Sequence, residues 1–217
     1  MPGYANPVTQ GPRRGLLWTQ LRESTRDAHA QAEASLAPLA QPDSLAQYVT
    51  LLCVLWGFQA PLERWLSRQD LPSAVDWPAR QRLGALAADL GDLGVAGTAP
   101  PEAAGLPATA GPGAVWGTLY VTEGARLGGR VLRRHIQSRL GPVPARFLDG
   151  HGDRTQPLWR DLGRLADLYV GGEPGRQLAR QTAIGVFAAF SRWAASHGET
   201  RHAGENELTT FGRLRHC

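Results

Sequence analysis

GAVWGTLYVTEGARLGGRVLRRHIQSRL, residues 113–140, is the stretch whose reading decides the fold. Its apolar spacing predicts one long helix, yet Gly117, Gly124, Gly128 and Gly129 lie inside it. An interior glycine costs a helix about 1 kcal/mol relative to alanine, so four of them cost roughly 3–4 kcal/mol, and something must offset that loss. Gly117, Tyr120, Gly124 and Gly128 follow steps of three, four and four, which places them on one helix face. That face is nearly bare of side chains. It suits either tight packing against another helix, as the small-xxx-small pair Gly124 and Gly128 would allow, or the close approach of a flat ligand to the backbone.

Outward from this helix the chain reads as helical throughout. Residues 16–39 carry an apolar stripe of Leu17, Leu21, Ala28, Ala32, Leu36 and Leu39. Pro42-Asp43-Ser44 ends that helix and offers a cap for the next, residues 44–68, with a bend expected near Gly57 or Pro61. Residues 78–90 form a shorter amphipathic helix with Asp76 as its cap. Residues 91–112 and 141–156, rich in Gly and Pro, read as loops. Helices over 157–169 and 175–196 follow, the last with an apolar face of Leu178, Thr182, Val186 and Phe190. No strand alternation and no internal repeat is evident. The expectation is an all-α single-domain bundle of about six main helices. It spans residues 16–196, between a flexible arm at 1–15 and a polar tail at 197–217.

Composition narrows the function classes. The 217 residues are 42% hydrophobic and 19% charged, ordinary for a soluble globular domain. All 23 basic residues are arginine, and the net charge of +4 is mild; no basic stretch or motif asks for nucleic acid. No uninterrupted apolar run of about 20 residues predicts a membrane span, and the first fifteen residues lack the apolar core of a secretory signal. Cys53 and Cys217 are the only cysteines, too few for a cysteine zinc site. These features fit a reducing cytoplasm.

The tie between packing and ligand is broken by a second stripe on the first helix: Arg22, Arg26, His29 and Glu33, at steps of four, three and four. Glu33, one turn past His29, is placed to accept from one ring N–H, which sets the tautomer and makes the other nitrogen a better metal ligand. Arg22 lies about 10.5 Å back along the axis, within reach of a carboxylate at the edge of a large planar ligand. A cationic edge, an imidazole and a backing carboxylate are what a ferric porphyrin with propionates requires. The alternative is an ordinary solvated face of i, i+4 pairs.

At these residues the chain resembles a known family. LRESTRDAHAQAE, residues 21–33, looks like the proximal helix of haem oxygenases, and LYVTEGARLGGRVL, residues 119–132, like their distal glycine helix, in particular the bacterial type found with bacteriophytochromes. The resemblance implies His29 as axial iron ligand and Glu33 as its partner. It implies Arg22 and Arg160 near the propionates, and Gly124 and Gly128 as the bare distal wall that leaves room for oxygen. Tyr120 and Gly129 belong to the same cofactor-binding surface, Gly129 with packing as its alternative; Phe187 and Phe190 border either pocket or core. The implied reaction is cleavage of haem, both substrate and cofactor, to biliverdin, carbon monoxide and ferrous iron. It uses oxygen and an external electron donor such as ferredoxin, a flavin reductase or an ascorbate-like reductant. Alpha-meso cleavage and delivery of the bilin to a bacteriophytochrome are the corresponding expectations.

One position departs from the family pattern. Ala125 stands where the mammalian type has an aspartate that orders water, so proton delivery falls to Glu123, Arg126 or a water chain. A haem carrier on the same fold, a thiaminase-type relative and a pure interaction module are the alternatives. Cys53 on an apolar helix is a poor nucleophile for the second, and the third leaves the alignment of His29, Glu33 and Arg22 without a purpose.

Overall fold

The computed structural model describes residues 16–95, 99–106 and 110–198. The expected arm at 1–15, residues 199–217 of the expected tail, and Cys217 lie outside the described residues. Eight α-helices follow in order: α1 Leu16–Ser24, α2 Arg26–Leu36, α3 Leu45–Leu66, α4 Trp77–Arg80, α5 Leu83–Asp92, α6 Pro112–Leu140, α7 Thr155–Tyr169 and α8 Gly172–Gly198, with short 3-10 turns at Ser73–Val75 and Gly152–Arg154. No strand occurs among the described residues. The six segments expected from periodicity are present, and two of them are broken in two.

The first break is at Thr25, which parts the expected helix 16–39 into α1 and α2. The Thr25 hydroxyl donates to the Leu21 carbonyl at 2.7 Å, while His29 N donates to Thr25 O at 2.8 Å, so the ladder bends without coming apart. The second break separates α4 from α5 at Gln81 and Arg82. Asp76 does not cap this segment: it sits in the left-handed region, φ 48° and ψ 58°, with no side-chain bond to a helix N–H. The cap comes from another helix. Glu63 of α3, itself buried, accepts from Arg82 N at 2.7 Å and Leu83 N at 3.2 Å, satisfying donors that open α5. Asp167 of α7 does the same for α1, accepting from Leu16 N and Leu17 N at 2.9 and 2.8 Å. Ser44 caps α3 as expected, its hydroxyl accepting from Gln47 N.

α3 is long and apolar enough to span a membrane on length and composition, with a mean hydropathy of 1.4, but 56% of that window is buried inside the protein. Its midpoint shows why. A Cβ on Gly57 would lie 2.3 Å from the Pro101 carbonyl and 2.5 Å from the Trp193 ring, and Ala103 N donates to Gly57 O. Gly57 therefore admits a neighbouring segment, and α3 runs through it. Pro61 is likewise accommodated inside α3.

α6 and α8 form the most extensive helix pair in the molecule. A Cβ on Gly113 would meet the Gly175 carbonyl at 2.4 Å, and one on Gly117 the Ala179 carbonyl at 2.3 Å. The first half of the glycine face is thus pressed backbone to backbone against α8. Of the two readings of this face, Gly117 takes the packing one. Gly129 is also a packing glycine, facing the Leu148 carbonyl at 2.5 Å, whereas a Cβ on Gly128 would meet nothing within 4 Å.

Beneath α6 lies a buried ionic cluster. Glu123 and Arg80 are each 2% exposed; Arg80 Nη1 donates to Glu123 Oε2 at 2.9 Å, and Arg126 Nε to Glu123 Oε1 at 2.9 Å. His151 Nε2 stands 3.4 Å from the same carboxylate. Burial pushes the Glu123 carboxyl up, but the adjacent His151 ring with the Arg126 and Arg80 charges outweighs it and holds the group below its ordinary value of 4.5.

This packing sets the sign of two glycine substitutions. Gly117→Ala should lower stability by about 1–3 kcal/mol, the range of core overpacking. Gly128→Ala should raise it by up to about 1 kcal/mol, because alanine meets no obstacle there; paired thermal melts check both signs. The Glu123 carboxylate should add stability that is fully present above pH 4.5 and lost as pH falls toward its depressed native value. The gap in urea midpoint between the wild type and Glu123→Gln should therefore narrow in acid.

Candidate functional site

His29 projects from the first turn of α2, whose entry is set by the Thr25 bend. The imidazole is 53% exposed and Glu33 72%. Nδ1 stands 3.6 Å from Glu33 Oε2, an ion-pair distance and longer than a hydrogen bond. The ring meets Phe187 of α8 edge to face, with centroids 5.4 Å apart. Nε2 makes no hydrogen bond among the described residues and is available as a donor atom to a metal.

α2 and α6 both pack on α8 and scarcely touch each other. His29 and the open end of the glycine face therefore stand on separate helices that share one support. Phe187 lies between α8 and His29, and Thr182, five residues earlier, lies against Gly117. Gly128 and the exposed Ala125 present bare or nearly bare surface on α6. A Cβ on Gly124 would meet only the Trp159 ring, at 3.3 Å. Of the two distal glycines, Gly124 is therefore bordered by Trp159 and Gly128 is open.

The polar rim is more exposed than the glycine face. The structure brings Arg22, Thr25 and Tyr120 together, close enough that the Thr25 hydroxyl and the Arg22 charge both act on the Tyr120 hydroxyl. Burial pushes the Tyr120 hydroxyl above its usual pKa of 10.0, the Thr25 hydroxyl and the Arg22 charge opposing it. Arg22 and Arg160 are both exposed, as a pair of cations for propionates would be. Arg160 follows Trp159 directly on α7, so the helix that lays the Trp159 ring against Gly124 also carries this arginine.

Several residues around the site carry no sequence signature. Trp18, Tyr120 and Trp159 form a triangle of rings with centroid distances of 5.2, 5.2 and 5.3 Å, beside Gly124. The Trp18 indole N–H is buried without a hydrogen-bond partner. The triangle extends through Trp116 to Tyr169, whose rings stack within 8° of parallel. Only Tyr120 of the three stands out from periodicity; Trp18 and Trp159 become legible once α1 and α7 are known to converge on α6. Phe190 packs on Phe58, centroids 5.0 Å apart, and belongs to the core. A separate cavity of about 350 Å³ lies between α6 and the 152–156 segment, lined by Arg126, Leu127 and Thr155 among others, and His29 takes no part in it. No cluster of three or more His, Cys, Asp or Glu side chains suited to a metal occurs among the described residues.

No family model matches the chain. A haem oxygenase of Xanthomonas campestris pv. campestris (strain 8004) is 40% identical over 138 residues, 63% of this chain and 79% of its own length. The NO- and CO-bound haem oxygenase of Neisseria meningitidis superposes with a TM-score of 0.70 at 25% identity, covering 84% of this chain and 92% of that one. Haem oxygenase-1 of the cyanobacterium Synechocystis sp. PCC6803, solved in complex with haem, shares the fold with a TM-score of 0.71 at 19% identity, over 91% of this chain and 99% of that one. With its paired helices on α8, its exposed imidazole and its bare α6 wall, the chain belongs to the haem oxygenase family.

Proposed function

We propose that the protein cleaves haem to biliverdin, carbon monoxide and ferrous iron, with oxygen and an external reductant. The observation that carries this reading is the placement of His29 Nε2, uncommitted and half exposed, on a helix held apart from Gly124 and Gly128 by their common support on α8. Haem, when bound, supplies the iron that activates oxygen and the ring that is cut.

The chain's own residues supply placement. His29 fixes one face, and the Phe187 edge limits rotation of the imidazole. Glu33 lies on the Nδ1 side of the ring, which leaves Nε2 as the ligand atom. Arg22 and Arg160, with the Tyr120 hydroxyl, hold the carboxylate edge and so fix which meso edge lies under α6. Gly128 leaves the space above the ring open and Gly124 admits the Trp159 ring at its border, so a small diatomic fits there and a bulky one does not. Ala125 neither donates nor accepts a proton. Glu123 is not its replacement: its carboxyl is turned into the ionic cluster and held ionised by His151, Arg126 and Arg80. Water admitted at the open Gly128 surface supplies the proton instead.

Alpha-meso cleavage and delivery of the bilin to a bacteriophytochrome are the finer parts of the proposal. They are supported by the likeness of residues 119–132 to the bacteriophytochrome-associated type. Use of a ferredoxin, flavin reductase or ascorbate-like donor in the cytoplasm follows from the same likeness.

The decisive experiment mixes purified protein with haemin and follows the Soret band, then adds reductant in air. Wild type should show a shifted Soret band that decays as biliverdin absorbance rises. His29→Ala should lose the shift, and Glu33→Ala should retain it with weaker affinity, by about 10–100-fold, the usual cost of losing a carboxylate behind a ligating histidine. A shifted band that never yields bilin would leave a haem carrier and overturn the enzymatic reading. Gly128→Ala, although stabilising to the ligand-free protein, should slow bilin formation by narrowing the wall above the ring; unchanged turnover would remove Gly128 from the site.

A further inference from the structure

Arg80 is the least expected charged side chain in the molecule. It is fully buried on the four-residue helix α4, and its guanidinium touches three separate elements. Nε donates to Val75 O at 2.6 Å, Nη1 to Glu123 Oε2 at 2.9 Å and Nη2 to Leu158 O at 3.4 Å. Glu123 and Leu158 are the residues immediately before Gly124 and Trp159. Those two are in turn the residues that meet across the α6–α7 junction, with the Trp159 ring 3.3 Å from where a Gly124 Cβ would be. The planar fork of arginine makes such a bridge rigid, whereas an ammonium on a flexible stem reaches one acceptor at a time. Arg126 Nη2 closes the arrangement by donating to the Arg80 carbonyl at 3.0 Å, which fixes α4 itself to α6.

We infer that Arg80 is a positioning residue: by tying Glu123 of α6 to the Leu158 carbonyl of α7, it sets the gap between the Gly124 backbone and the Trp159 ring, and that gap selects the size of the ligand that fits beside the α6 wall. The residue touches neither the His29 side nor the open surface at Gly128. It acts through the two residues it braces. A stabilising role alone would predict loss of folded protein without a change in discrimination; a positioning role predicts a change in discrimination at temperatures where the variant is fully folded.

The second half of this inference rests on the haem reading, and the first does not, so the test has two arms. In the ligand-free protein labelled with fluorotryptophan, the Trp159 resonance, assigned by Trp159→Phe, should shift or broaden in Arg80→Met while that of Trp193 stays in place. In the ferric haem complex, the affinity for imidazole relative to cyanide should rise in Arg80→Met by about tenfold, the discrimination that a methylene-sized change in a pocket supplies. Arg80→Lys, which keeps the charge beside Glu123 and cannot span all three acceptors, should behave like Arg80→Met in both arms. It also serves as the test variant if the methionine substitution prevents folding. An unmoved Trp159 resonance would overturn the bracing role whether or not haem binds. A moved resonance with an unchanged imidazole-to-cyanide ratio would overturn the selection role. Full restoration by lysine would show that charge, not the forked bridge, is what matters, and would overturn bracing by the guanidinium. Failure of the wild type to bind haemin would strike the haem reading and leave the first arm standing.

Discussion

The contact on which the rest of the structure depends is the backbone-to-backbone approach of α6 and α8 at Gly113 and Gly117. Helix axes that close leave no room for a Cβ against the Gly175 and Ala179 carbonyls. The gain is that α8 becomes a common support, with α6 on one flank and α2 on another. Had α6 stood off by the width of a methyl group, the Phe187 contact that orients His29 and the Trp159 contact at Gly124 would no longer be referred to the same frame. The four interior glycines of α6 thus divide by role. Gly117 and Gly129 are needed where backbone meets backbone, Gly124 lies against the Trp159 ring, and Gly128 meets nothing within 4 Å. The helix-propensity loss is offset by packing at the first pair only. At Gly128 nothing in the protein offsets it, and uncompensated local cost of that kind is what functional surfaces show.

Periodicity made the architecture legible because each helix buries one stripe, and a stripe repeats along the chain whatever it packs against. Leu17, Leu21, Ala32 and Leu39 are buried as their spacing requires. The breaks within two of the six segments were not legible, because the groups that fix them are remote in sequence. The start of α5 is set by Glu63 and that of α1 by Asp167, 19 and 151 residues from the N–H groups they satisfy. Asp76 looked like a local cap and is not one, since its backbone adopts a left-handed conformation that turns the chain before α4. The site divides along the same line. His29 and Glu33 share a face of α2, and Arg22 lies at the end of α1 just before the Thr25 bend, so spacing along the chain was enough to align them. Trp18, Trp159 and Arg80 lie on α1, α7 and α4 and acquire their meaning only from where those elements converge on α6. The glycine face stayed open between two readings for the same reason: a bare face is visible in sequence, but what lies against it is not.

The buried cluster around Glu123 bears on how a chain with Ala125 handles protons. A proton donor must hold its proton at working pH and release it toward the ligand. Glu123 meets neither condition. Three cationic or hydrogen-bonding partners favour its ionised form against the desolvation that would protonate it, and both oxygens are committed away from the Gly124 face. Arg126 is equally unsuited, because a guanidinium does not give up its proton in a protein. What remains on the open side of α6 is a surface at Ala125 and Gly128 without side-chain functional groups, which water can reach. Proton delivery by solvent then requires that the wall be held at a fixed height, since nothing on the wall itself can reach out to adjust a water molecule. On the proposed reading, the ionic cluster supplies rigidity rather than protons, and the role that an aspartate would take falls to water at the open surface of α6.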